Sequence, residues 1–152
     1  MKKIGLFPGS FDPFTKGHEA IVHSALRIFD EIIIAIGENT SKKSHFETQK
    51  RIQHIQTLFA SNPAVSVRVY SQLTVSFCQE VGANHLVRGL RNTNDFNYEQ
   101  SIAQMNFTLA GIETVFLLTK QEFSAINSTI VREIHKNNGD ISLFVTNPDL
   151  LV

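Results

Sequence analysis

The chain has 152 residues, 42% of them apolar and 18% charged, with 14 basic side chains against 14 acidic ones. That length suits one domain spanning residues 1–152, able to bury a core without disulfide or structural metal, and the composition excludes a disordered chain. Zero net charge gives no broad field for nucleic acid or an anionic membrane, so phosphate affinity must come from a few placed residues.

Short apolar runs alternate with helical stripes from one end to the other. Residues 3–7 read as a first strand, followed by a Gly/Pro/Ser turn and a helix whose stripe is Ile21, Val22, Ala25, Leu26 and Phe29. Residues 31–37 form the second strand, and Ile52, Ile55, Leu58 and Phe59 the second helix. Residues 65–70 are a third strand; Val75, Cys78 and Val81 make a shorter helix with Gly82 as its stop. Residues 85–88 precede a long helix over 93–109, with Phe96, Ala103, Met105 and Leu109 partly inward and Gly111 ending it. After a fifth strand at 114–118, a helix over 128–136 meets Asn138-Gly139, and Asn147-Pro148 reads as the cap and first residue of a short terminal helix.

Runs this short and this apolar suit strands buried on both faces, and regular β–α alternation implies a parallel sheet with right-handed crossovers. The apolar run after Met1-Lys2-Lys3 is broken by Pro8 and Asp12, too short for a leader. Nothing approaches the ~20 apolar residues of a membrane span. The single cysteine, Cys78, sits in an apolar stripe and fits a reducing compartment, so the expectation is a cytoplasmic protein with no membrane or nucleic-acid partner.

Ligands of such sheets bind beyond the carboxyl ends of the strands. Those ends carry Ser10 and His18, then Lys42-Lys43, then residues 71–74, then Arg88-Gly89-Leu90-Arg91, then residues 120–129. Four of the five supply a cation or histidine, and the strand starts do not, which suggests a polyanion such as a nucleoside triphosphate. Thr15-Lys16-Gly17-His18 can be a plain tight turn, or it can present a neutral imidazole to a phosphate at a helix start. Arg88 and Arg91 can be solvated, or can fork onto phosphate oxygens with Gly89 allowing close backbone approach. The stretch 122–129 caps a helix with hydroxyls and an amide, which does not exclude phosphate binding. Glu99 reads as an exposed helix residue. Six histidines without i, i+4 pairing or cysteine partners give poor support to a metal centre, and neither a P-loop nor a Gly-x-Gly-x-x-Gly follows the first strand.

Together, Phe-Pro-Gly-Ser-Phe-Asp-Pro at 7–13, Thr-x-Gly-His at 15–18, Ser-Lys-Lys at 41–43, Arg-Gly-Leu-Arg at 88–91 and Asp-Phe-x-Tyr-Glu at 95–99 carry a resemblance. The chain resembles the nucleotidyltransferase superfamily with the (His/Thr)-x-Gly-His signature, and within it the bacterial phosphopantetheine adenylyltransferases. The resemblance implies an α/β fold with a Rossmann-like doubly wound sheet of order 3-2-1-4-5 and helices on both faces. It implies adenylyl transfer from ATP to 4′-phosphopantetheine, giving dephospho-coenzyme A and pyrophosphate, with Mg²⁺ carried mainly by the ATP phosphates. His18, Lys42 and Arg88 become the expected catalytic residues. Ser10, Phe11, His18, Gly89, Leu90, Arg91 and Glu99, with Phe123, Ser124, Ala125, Ile126, Asn127, Ser128 and Thr129, become the expected ATP site. Ser10, Lys42, Thr74 and Arg88 become the acceptor site. A homohexamer and feedback binding of coenzyme A are implied in the same way. Asn127 and Thr129 depart from the serines common in the family, Thr74 from a hydrophobic residue and Phe123 from tryptophan. Another acceptor within the superfamily, or a nucleotide-binding module without turnover, stay open as alternatives.

Overall fold

The computed structural model describes residues 1–152. Five parallel strands, β1 (Ile4–Gly9), β2 (Glu31–Gly37), β3 (Val65–Tyr70), β4 (His85–Leu90) and β5 (Glu113–Leu118), lie in the order β3-β2-β1-β4-β5. The helices are α1 (Lys16–Ala25), α2 (Thr48–Leu58), α3 (Thr74–Glu80), α4 (Thr93–Ala110) and α5 (Ser128–Lys136), with 3-10 turns at Gln121–Phe123 and Pro148–Leu151. The expected sheet and its order are therefore present.

Strand periodicity divides the core into two layers. Ile32, Ile34 and Ile36 of β2 face α1 and α2, where they join Phe7, Val22 and Ile55. Ile33 and Ala35 point the other way, with Leu6, Phe77 and Cys78 against α3. Burial raises the Cys78 thiol pKa to about 11, so it is an inert core residue. A third, smaller cluster ties α5 to the C-terminal segment through Phe46, Val131, Val145 and Leu151.

Two strands outrun their expected ends. β1 continues to Gly9 along β2, and β4 continues to Leu90 along β5, which puts Arg88 and Gly89 inside a strand. Between β1 and β4, however, pairing stops after Leu6↔Leu86. Pro8 explains the break: its carbonyl faces β4, but its nitrogen has no proton to continue the ladder. The Arg88 guanidinium takes that carbonyl instead. The sheet thus opens at its switch point, where topology reverses and a ligand fits.

Two local expectations are corrected. Met105 and Leu109 of α4 are 72% and 63% exposed, because only its other face meets α3 and the sheet. Asn147 precedes the terminal turn at φ 52° and makes no side-chain cap. A Cβ on Gly89 would stand 3.0 Å from Ile21, so its bareness also admits helix α1.

Candidate active site

Three clefts converge on the open end of the sheet. The central one, about 470 Å³, lies between the start of α1, the ends of β4 and β5, and the start of α5. Of the expected residues it gathers Ser10, Phe11, His18, Arg88, Gly89, Arg91, Glu99, Phe123, Ile126, Asn127, Ser128 and Thr129. A second cleft of about 350 Å³ on the α3/α4 side takes Thr74, Leu73, Tyr98, Ile102 and Asn106, and shares Arg88 and Glu99 with the first. The third, about 910 Å³, holds Lys42 and meets the first at Ser10 and Arg132. Leu90, Ser124 and Ala125 line none of the three; the Ser124 hydroxyl donates to Gln121 O at 2.9 Å. The exposed Lys42 is not brought beside Arg88 and Thr74.

His18 is the best-defined side chain here. Thr15 caps α1, and its backbone N–H donates to His18 Nδ1 at 2.9 Å, closing a capping box. An acceptor at Nδ1 fixes the neutral tautomer with the proton on Nε2. Phe11 and Phe14 hold the ring at centroid distances of 5.0 and 5.4 Å. Burial, reinforced by the charges of Arg88 and Arg91, lowers its pKa to about 3. His18 therefore faces the cleft as an uncharged donor near pH 7. Phe11 itself is only 3% exposed, at φ 47°, and a Cβ on Gly9 would stand 2.9 Å from its ring. It supports the imidazole from the core side and also lines the central cleft.

The two arginines are held by carboxylates. Arg88 donates from Nε and Nη2 to the two oxygens of Glu99 at 3.0 and 2.6 Å, and from Nη1 to Pro8 O. Three of its five N–H groups are committed and two remain. Glu99, read from sequence as exposed, is buried; its carboxylate serves Arg88 where two clefts meet. Arg91 pairs with Asp95 at 3.1 Å and reaches Ile126 O at 3.4 Å, bracing the β4 end against the segment before α5. Burial alone would raise the Asp95 pKa, but hydrogen bonds from Arg91 and its charge hold it below the ordinary value.

At the start of α5, Asn127 Oδ1 accepts from Thr129 N at 2.8 Å and caps the helix, while Ser128 Oγ donates to Pro13 O at 3.0 Å. Three charged residues have roles that the motifs do not assign. Buried Asp12 accepts the N–H groups of His45 and Phe46, each at 2.8 Å, and so anchors the loop that bears Lys42. Buried Arg51 donates to the carbonyls of Ser10 and Phe46. Arg132 donates to Asp12 O at 2.8 Å and Thr129 Oγ1 at 3.1 Å. Arg51 and Arg132 signalled themselves only as charges beside the stripe residues Ile52 and Val131, and Asp12 only as part of the motif at 7–13.

No group of three or more His, Cys, Asp or Glu side chains could hold a metal ion here. What the site offers is imidazole, guanidinium and helix-start N–H donors, a set made for phosphate oxygens.

Residues 6–134 match the family described as cytidylyltransferase-like. Phosphopantetheine adenylyltransferase of Cytophaga hutchinsonii is 49% identical over 146 residues, covering 95% of this chain and 97% of its own length. That of Bacteroides thetaiotaomicron is 49% identical over 140 residues, covering 92% and 93%. The fold is shared with a bifunctional NMN adenylyltransferase/ADP ribose pyrophosphatase of Francisella tularensis, at TM-score 0.71 and 20% identity over 97% of this chain and 46% of that one. By sequence and by fold, the chain belongs to the cytidylyltransferase-like nucleotidyltransferases and, within them, to the phosphopantetheine adenylyltransferase family.

Proposed function

We propose that the chain transfers the adenylyl group of ATP to 4′-phosphopantetheine, giving dephospho-coenzyme A and pyrophosphate. One observation carries the assignment beyond family membership: Arg88, with two N–H groups unspent, lines both the central cleft and the narrower one on the α3/α4 side. ATP occupies the first, against Ser10, His18, Arg91 and the start of α5. The acceptor occupies the second, its phosphate at Arg88. The walls there suit the rest of such a molecule: Leu73, Tyr98 and Ile102 for an extended aliphatic chain, with Thr74 and Asn106 for its amides.

The acceptor phosphate is already anionic near neutral pH, so the attack needs no general base. Rate comes from position and from donors aimed at the developing charge on the α-phosphate. His18 Nε2–H is such a donor, and Arg88 screens the repulsion between two phosphates. Lys42 adds a mobile charge from the loop that Asp12 anchors. The carboxylates nearest the site are engaged with Arg88, Arg91 and backbone N–H groups. Mg²⁺ therefore arrives as part of the MgATP substrate, on phosphate oxygens and water.

A homohexamer is part of this reading; the uncovered apolar side chains Tyr98, Met105 and Leu109 on α4 support assembly, and light scattering tests it. Feedback by coenzyme A belongs here too, since it shares the pantetheine arm, and competition with the acceptor tests it. Free, buried Cys78 fits a cytoplasmic setting. The central experiment is pyrophosphate release with MgATP and either phosphopantetheine or nicotinamide mononucleotide. Release with phosphopantetheine alone is expected; release only with the mononucleotide overturns the acceptor assignment.

A further inference from the structure

The apolar anchorage of α1 begins one turn late. Ala20, Ile21, Val22 and Ala25 are buried, whereas Lys16, Gly17, His18 and Glu19 are only half-buried. The first N–H groups of a helix have no partner within it. Thr15 Oγ1 takes one of them, from His18 at 3.4 Å, through the cap. The Lys16 N–H is taken from outside the helix, by Phe144 O at 2.8 Å.

Two residues farther along, the C-terminal segment reaches the other flank of His18. The Thr146 hydroxyl donates to Glu19 Oε2 at 2.9 Å. Thr146 is in turn held from α2, where His54 Nε2 donates to its carbonyl at 2.7 Å. A carbonyl only accepts, so the ring carries its proton on Nε2. His54 is fully buried, and burial holds its pKa below the ordinary value against the pull of that carbonyl and of Glu19. Its Nδ1 is buried with no hydrogen-bond partner. An unpaired buried acceptor is unfavourable, and a leucine in its place would avoid it; what the histidine adds is the bond to Thr146. Val145, between the two contacts, is wholly buried in the cluster of Phe46 and Val131. One anchored stretch of chain therefore grips the residues on both sides of Gly17-His18.

We infer that residues 144–146 splint the first turn of α1 and that Thr146, fixed by His54, is a positioning residue for His18. The segment does not touch the imidazole; it holds the turn that aims the Nε2–H. Misplacing a catalytic group by about 1 Å can cost a factor of about 10² in rate. Loss of one of the two tethers should cost less, about 10-fold in kcat. This inference rests on the adenylyl-transfer reading above, in which His18 is the donor to the α-phosphate.

The test is a double-mutant cycle read by pyrophosphate release with MgATP and phosphopantetheine. Thr146→Val keeps the shape and removes the hydroxyl. It should lower kcat about 10-fold with both KM values within about twofold, and Thr146→Ser should restore kcat to within about threefold of wild type. In a His18→Ala background the same Thr146→Val change should move kcat by less than about twofold, because the residue it positions is gone. Glu19→Ala removes the same hydrogen bond from its other end at a half-buried site, and it carries the cycle should Thr146→Val fail to fold. An unchanged kcat in the folded variants overturns the inference. So does a loss confined to KM, or an equal loss with and without His18, which would mean that the segment only stabilises the fold. Hydrogen exchange at the Thr15 N–H, which His18 Nδ1 accepts, should be about 10-fold faster in Thr146→Val. A wild-type protein that releases no pyrophosphate with phosphopantetheine defeats the adenylyl-transfer reading instead. The exchange rate then judges the splint separately, and an unchanged rate overturns it.

Discussion

Glu99→Gln separates two roles that one cleft residue could have. A carboxylate beside a polyphosphate repels it, so Glu99 gains nothing by touching ATP; its oxygens instead accept from Arg88 at 2.6 and 3.0 Å. The side chains of Glu99 and Arg88 are 9% and 33% exposed. Breaking a fully buried pair costs about 3–5 kcal/mol and an exposed pair under about 1 kcal/mol, so this intermediate pair should cost about 2 kcal/mol. For a chain of this size that is a fall of about 4–8 °C in Tm, read by scanning calorimetry. The carboxamide also points an N–H group at the guanidinium, which turns the fork away from the acceptor phosphate. Misplacement of that order should lower kcat/KM for phosphopantetheine by about 10- to 100-fold, with KM for ATP moving much less. A variant with wild-type Tm and kcat/KM, or one impaired mainly in ATP binding, would refute the assignment of Glu99 to Arg88.

His18 gives a comparison decided by one proton. Glutamine places its amide N–H near the imidazole Nε2 and asparagine near Nδ1, so His18→Gln should keep more kcat than His18→Asn or His18→Ala, which should lose about 10²- to 10³-fold; equal losses in steady-state assays would remove the Nε2–H donor. Because its pKa lies near 3, kcat should carry no His18-linked inflection between about pH 5.5 and 8, and an inflection that disappears in His18→Gln would contradict the neutral ring. Stability should fall on acidification. His18, His45 and His54 all have pKa values lowered first by burial, so below the unfolded value near 6.5 the unfolded chain binds protons that the folded chain refuses. Each such proton tilts stability by up to about 1.4 kcal/mol per pH unit, and urea midpoints should drop from pH 7 to 5.5; a flat or rising profile would be inconsistent with these burials.

A parallel sheet covered on both faces and the gathering of cations at one end were legible in the sequence because they follow from period and connectivity, whereas the strand order came with the family resemblance. Five buried runs alternating with stripes leave few right-handed arrangements, and whatever follows each strand then shares an edge. The paired groups were not legible. Glu99 looked like an ordinary helix surface residue because its burial depends on Arg88, eleven positions away on another element. Asp12, Arg51 and Arg132 likewise act through main-chain carbonyls and N–H groups, which leave no pattern in side-chain type. Met105 and Leu109 misled in the opposite sense: an apolar stripe predicts a covered face, and within one chain that face has nothing over it.

Those paired groups also explain how so many cations share one small cleft without forcing it apart. Arg88 and Arg91 each carry a carboxylate partner, so the resting site is close to neutral around them. Cations without a carboxylate partner, Arg132 among them, line the junction with the third cleft and that cleft itself. With the nucleotide bound as proposed above, its α-phosphate meets oriented donors rather than unpaired charge. That distribution favours transfer. Strong compensation of the α-phosphate in the ground state would stabilise substrate and transition state alike, but a fixed neutral donor at His18 gains strength only as charge develops on that phosphate.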